Sequence, residues 1–340
     1  MIWFDLDNSP HVPLFRPVFE YLRSKNADFK ITARDFAQTL DLLKLWNIPH
    51  TAIGTHGGKN KIKKVLNTYN RSSQLKKFAK DFHFSLAVSH GSRSQLVAAS
   101  RLKIKSLLMM DYEYTETKIF NYFSGNLLIP KLIPDERLAS CGINLKKVIR
   151  YDGFKEELYL SSFAPDADFR KSINVSKDLV LVVIRPPGMT GNYHEAKSEE
   201  LLIKAIEHFS ASSNTTCLII ARAEPDRNYI LSKCKLSENV KFLEKAVDGS
   251  QLVYAADIVL SGGGTMNRES ALLGTKTFSI FTGRKPYLDE YLAEKGRMKF
   301  IESEKDIEDI VIERSDKPPS FVTHKNLAAE ISEIIINLAK

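Results

Sequence analysis

Short β-rich runs alternate with amphipathic helical patterns along the whole of this 340-residue chain, and that alternation leaves few folds open. Ile2 to Leu6 precedes a helical pattern from Pro13, Phe29 to Ala33 one from Phe36, Ser85 to Ser89 one from Arg93, and Ser106 to Met110 closes the series. A second series runs through Leu179 to Ile184, Thr216 to Ala221, Val240 to Leu243, Asp257 to Leu260 and Thr277 to Phe281. Strand–helix–strand units need crossover connections, so the expectation is an α/β protein with parallel sheets, wound twice. The length also exceeds what one hydrophobic core usually organises. The seam is expected where Tyr151-Asp152-Gly153 interrupts the run from Ile149 to Phe154, giving domains 1–153 and 154–340. The last helix is a candidate to pack back on the first domain. No short-period repeat or low-complexity tract appears.

Composition removes several classes. Cys141, Cys217 and Cys234 have no paired spacing, and Cys217 sits inside an apolar run, which argues against a disulfide framework or a zinc site and for a reducing cytoplasm. The start, with Asp5 and Asp7, does not read as a secretory signal, and no apolar run reaches membrane-spanning length. A net charge of +8 favours anionic partners in general. The densest basic stretch, Lys59 to Lys80, reads as a solvated helix face or as a peripheral contact with the inner face of a membrane. Basicity alone does not make a nucleic-acid binder, and no recognised module or aromatic-interleaved basic patch supports one.

Open α/β sheets bind ligands outside the carboxyl ends of their strands, so the loops after strands matter most. In Leu260-Ser261-Gly262-Gly263-Gly264-Thr265-Met266-Asn267-Arg268-Glu269 a strand pattern breaks into three glycines and restarts as a helix. Glycines let a backbone approach an anion closely, and a helix start aims N–H groups and the positive end of its dipole at the same space. Glu269 follows Thr265 by about one turn, where a carboxylate can accept from ribose hydroxyls. The segment is neither a Walker A loop nor a G-x-G-x-x-G fingerprint. It points to a nucleotide diphosphate, with a plain glycine turn as the alternative.

Taken together, the two series resemble the GT-B architecture of nucleotide-sugar glycosyltransferases and non-hydrolysing UDP-N-acetylglucosamine 2-epimerases: two Rossmann-like, doubly wound parallel-sheet domains facing a central cleft. More closely, Asp5-Leu6-Asp7-Asn8-Ser9-Pro10-His11, Thr32 to Thr39, Ser89-His90-Gly91-Ser92-Arg93-Ser94, Arg185-Pro186-Pro187 and Gly263 to Glu269 resemble the prokaryotic domain-of-unknown-function family 354 within that superfamily. The resemblance implies that Gly263, Gly264 and Thr265 cradle the diphosphate, that Glu269 holds the ribose, and that Arg185, Asn267, Ser92 and Arg93 complete the nucleotide-sugar contacts. Arg185 could instead pair with a neighbouring loop. Pro10-His11-Val12 is similar to a Gly-Gly-His-Val turn of the lipid II glycosyltransferase, which makes His11 a candidate base if Asp5 or Asp7 orients it. His90-Gly91-Ser92 resembles the epimerases' His-Gly-Asp segment with Ser92 in place of the carboxylate, leaving Asp111 and Glu113 as the acid–base candidates there.

The resulting expectation is a glycosyltransferase-like enzyme of surface glycan or glycoconjugate biosynthesis, taking a UDP-sugar as substrate and a sugar or lipid-linked acceptor. A UDP-sugar 2-epimerase or hydrolase and a non-catalytic binding subunit are the alternatives. No further cofactor is required, and no metal is expected, since helix N-termini and arginines can neutralise a leaving diphosphate. Tyr193, His194 and Arg222 lie on further loops that could reach the sugar.

Overall fold

The computed structural model describes all residues except 56–60, 188–195, 222–223 and 246, and of residues 61–65 it describes the helix but not the side chains. Two compact units divide the chain. The first comprises Met1–Ser161, Pro286–Leu288 and Thr323–Lys340, the second Ser162–Lys285 and Asp289–Val322.

The first unit is built on seven strands: β1 (Ile2–Leu6), β2 (Phe29–Asp35), β3 (Thr51–Thr55), β4 (Leu86–His90), β5 (Lys105–Met109), β6 (Asn126–Pro130) and β7 (Val148–Tyr151). They pair in parallel in the order β3-β2-β1-β4-β5-β6-β7. β1 shows why both faces are covered. Ile2, Phe4 and Leu6 join one core with Phe15, Phe19 and Leu22 of the helix His11–Ser24, whereas Trp3 joins a second with Leu75, Ala79 and Phe84. The strand's two-residue period sends alternate side chains to opposite helical layers. The helix Leu327–Ala339 adds Leu327, Ile331 and Ile335 to the first core. Each such side chain contributes roughly 1.5–3 kcal/mol when fully buried.

The second unit carries β8 (Val180–Arg185), β9 (Thr215–Ile219), β10 (Val240–Phe242), β11 (Ile258–Ser261), β12 (Lys276–Ser279) and β13 (Lys299–Phe300). These run parallel in the order β10-β9-β8-β11-β12-β13. In each sheet the winding reverses once, between β1 and β4 in the first and between β8 and β11 in the second. Those two switch points are where an open α/β sheet opens a crevice for a ligand.

Candidate functional site

At the first switch point the end of β1 carries Asp5, fully buried and fully engaged. Arg71 donates to both of its carboxylate oxygens, at 2.8 and 2.9 Å, Thr32 Oγ1 donates at 2.7 Å and Ser92 Oγ at 2.6 Å. Burial works against the Arg71 charge, but Asp5 and Asp7 more than offset it and hold its pKa above the ordinary arginine value. Arg34 and Arg71 both approach Asp7 Oδ1, at 3.2 and 3.3 Å. The basic helix face expected over Lys59 to Lys80 is thus corrected at Arg71, which points inward as the counter-ion of two aspartates.

His11 begins the helix that follows. Its Nδ1 accepts from the Asp7 main-chain N–H at 3.1 Å, so the ring is oriented by backbone and not by the Asp5 or Asp7 carboxylate, the expectation from sequence. Burial foremost, then the neighbouring His90 and Lys155, push the His11 pKa well below the usual histidine range, against an opposite pull from Asp111. The His90 ring lies 5.0 Å from it, centroid to centroid.

From His90 a chain of polar contacts runs across the ends of β4, β5 and β7. His90 Nε2 lies 3.0 Å from Asp111 Oδ1, Lys155 Nζ donates to Asp111 Oδ2 at 2.6 Å, and the same Nζ donates to Glu156 Oε1 at 2.6 Å. Lys155, Asp111 and Glu156 are all buried. Ionisable side chains are seldom so deeply placed unless paired, and such groupings concentrate where chemistry is done. Glu113, also buried, accepts from Arg137 Nε and from the Tyr287 N–H, both at 3.0 Å through Oε1, while its Oε2 is buried with no hydrogen-bond partner among the described residues.

At the second switch point β11 ends in the glycine turn. Gly262 donates its N–H to the Arg185 carbonyl at 3.0 Å, and a Cβ there would lie 2.3 Å from Pro187 Cα, so only glycine lets the two strand ends close up. Gly264 takes φ +85° and ψ −154°, a conformation open essentially to glycine alone, and a Cβ on it would meet nothing within 4 Å. The backbone there faces open space. It forms the N-cap of the helix Thr265–Leu272, a position where glycine has no side chain to cap the start. Asn267 is buried with neither its amide oxygen nor its amide nitrogen partnered among the described residues. Arg268 pairs with Asp289 at 2.8 Å, and Glu269 lies beside it, 7% exposed.

The structure therefore assembles the expected residues into two groups. Gly263 and Gly264 of the glycine turn and Thr265, Asn267 and Glu269 of the helix it starts lie together in the second unit, with Arg185 half-buried at the neighbouring strand end. His11 and Asp111 belong to one cluster of the first unit, and Glu113 follows Asp111 along the same loop. Ser92 departs from the expectation: its hydroxyl donates to Asp5, accepts from the Gln95 N–H as the N-cap of the helix Arg93–Arg101, and is fully buried, leaving nothing for a phosphate. Arg93 pairs with Glu116 at 2.7 Å. His90, Arg71, Lys155 and Glu156 were not singled out as site residues from sequence. Lys155 and Glu156 follow the end of β7, and the carboxyl-end rule would have found them had that strand been recognised. Tyr193, His194 and Arg222 lie outside the described residues.

Comparison with known proteins now has a geometry to meet. A family model described as "Protein of unknown function (DUF354)" matches residues 1–337. The Uncharacterized protein MJ0665 of Methanocaldococcus jannaschii is 25% identical over 304 residues, which cover 87% of this chain and 86% of the relative. Among solved structures, a UDP-GlcNAc 2-epimerase from Neisseria meningitidis bound to UDP-GlcNAc superimposes with a TM-score of 0.76 at 15% identity over 99% of both chains. The Methanocaldococcus jannaschii UDP-GlcNAc 2-epimerase in complex with UDP-GlcNAc and UDP gives 0.76 at 14% identity, again over 99% of both. At such identities the likeness is one of fold, and that fold is GT-B-like.

Proposed function

The chain belongs to the DUF354 family, and from that premise we propose that it is a nucleotide-sugar enzyme that transfers a glycosyl group from a UDP-sugar donor. The observation that carries this reading is the turn at Gly262, Gly263 and Gly264, where positive-φ backbone at a sheet switch point leads into a helix whose N-cap is glycine. Such a start offers N–H groups and a positive dipole end to a diphosphate. Glu269 accepts from the ribose hydroxyls, and Arg185 and Asn267 complete the donor contacts. The structures of similar fold that hold UDP-GlcNAc and UDP support a ligand of this class. In the first unit the group around Asp111, with His90, Lys155, Glu156, Glu113 and His11, supplies acid–base chemistry.

Transfer is favoured over epimerisation by Ser92. A 2-epimerase must remove and return a carbon-bound proton, and the position that carries a carboxylate in the resembling epimerase segment is here a capping hydroxyl. The buried Asp111, Lys155 and Glu156 favour a second reading, an epimerase or hydrolase working on the same UDP-sugar without an acceptor. A lipid-linked acceptor would suit the helix Lys61–Ala79, whose exposed residues include Leu66, Tyr69 and Lys77. Incubating the protein with a panel of nucleotide sugars, with and without sugar or lipid-linked acceptors, and following the mixture by NMR tests the proposal. Acceptor-dependent release of nucleotide supports transfer. Conversion at C2 or acceptor-free hydrolysis selects the second reading, and binding without turnover leaves a non-catalytic subunit.

A further inference from the structure

We propose that the two neighbouring histidines of the first unit are held in opposite tautomers, His11 presenting an N–H from Nε2 and His90 a bare, proton-accepting Nδ1, as a matched pair for one hydroxyl of the ligand. The argument starts from main chain. The Asp7 amide can only donate, so His11 Nδ1 is an acceptor and the neutral ring carries its proton on Nε2. The other ring is fixed from the opposite side. Asp111 already accepts from the Lys155 ammonium through Oδ2, and an ionised carboxylate has only acceptors to offer, so His90 Nε2 is the donor toward Oδ1 and its lone pair sits on Nδ1.

What remains on each ring is one nitrogen. Neither His11 Nε2 nor His90 Nδ1 has a hydrogen-bond partner among the described residues; the His11 ring is buried and the His90 ring half-buried. The ring centroids are 5.0 Å apart with planes inclined at 48°. A donor and an acceptor on two rings this close can serve one hydroxyl, whose oxygen accepts from His11 while its hydrogen goes to His90. The groups around His11 are His90, Lys155, Asp111 and Arg71, with Asp7 behind Nδ1. Burial among them keeps the ring uncharged, so His11 acts as a neutral donor in place of the base expected from its position in the sequence. Lys155 is a positioning residue: it touches Asp111 and Glu156, and through Asp111 it sets which His90 nitrogen is free. The choice of a sugar hydroxyl rests on the nucleotide-sugar reading above, whereas the tautomers do not.

Long-range 1H–15N correlation spectra of the intact protein with 15N-labelled histidine, recorded from about pH 5 to about pH 8, read both assignments directly. His11→Gln and His90→Gln identify the two spin systems by loss of their signals. Should either variant fail to fold, substituting the other histidines, exposed His83 among them, identifies it by elimination. The expected result is an Nε2–H tautomer for His11 and, at the upper end of the range, an Nε2–H tautomer for His90. Lys155→Met is expected to alter the His90 signals and leave the His11 tautomer unchanged. A neutral ring carrying its proton on Nδ1, in either histidine, overturns the proposal. If both tautomers are found but UDP-N-acetylglucosamine and the other nucleotide sugars of the panel perturb neither ring, the hydroxyl assignment fails while the histidine geometry stands.

Discussion

Arg71 grips both carboxylate oxygens of Asp5 at 2.8 and 2.9 Å, with side-chain exposures of 4% and 0%. This pair ties the helix Lys61–Ala79 to the end of β1, and through Ser92 to the start of the helix Arg93–Arg101. It thereby fixes the loop whose Asp7 N–H orients His11. Removing one partner leaves the other charge buried and uncompensated. Arg71→Met is expected to lower stability by about 3–5 kcal/mol in urea unfolding, and Asp5→Asn by a similar amount. The double variant should lose less than the sum of the two, because the orphaned charge is gone. Strict additivity would contradict a coupled pair.

The glycine turn allows a finer separation. Gly264→Ala adds a methyl group that meets nothing, so its cost is backbone strain alone, about 1–3 kcal/mol. Gly262→Ala drives a methyl into the Pro187 backbone and is expected to impair folding more severely. Thermal unfolding of the two variants checks the order. Equal losses would mean that the Gly262 contact with Pro187 relaxes freely.

A pH dependence follows from Lys317, which donates to the Ala256 carbonyl and to Thr275 Oγ1 in the second unit. Burial holds its ammonium down to about 8 from an ordinary 10.5, against the pull of Asp257. Between those values the unfolded chain binds a proton that the folded chain lacks. This contribution to stability is therefore complete above about pH 10.5 and lost as pH falls through about 8, with a full span of about 3 kcal/mol. Lys317→Met should flatten the rise of stability with pH over that window in urea titrations. Identical slopes in the two proteins would contradict the assignment.

Much of the fold was legible because strand and helix periods differ so plainly in this chain. Ile2–Leu6 was read to the residue, and β4, β5, β8 and β11 to within one or two. β7 was not read as a strand: Val148–Tyr151 is an edge strand with a single fully buried residue, and Tyr151-Asp152-Gly153 read as an interruption between domains. With β7 went Lys155 and Glu156, whose meeting with Asp111 depends on β5, β6 and β7 lying side by side and on nothing local in sequence. The glycine turn was legible because its residues are contiguous. The Asp5–Arg71 pair joins positions 66 residues apart, and no spacing announces it. Ser92, which the resemblance counts among the nucleotide-sugar contacts, donates to Asp5, a partner 87 residues away that no local spacing announces, and caps the helix Arg93–Arg101.

The nucleotide-sugar site itself is tested most directly by calorimetric titration of UDP-N-acetylglucosamine, and then of other UDP-, GDP- and CMP-sugars, into the wild-type protein and into Glu269→Gln. Glu269 is 7% exposed on the helix that begins at the glycine turn, and a hydrogen bond to a charged acceptor is worth about 1.5–3 kcal/mol. The expected result is saturable binding of at least one of these sugars to wild type, weakened by about that amount in the variant and not by a change in fold. Absence of binding by every nucleotide sugar, or equal affinity in the two proteins, would contradict the site.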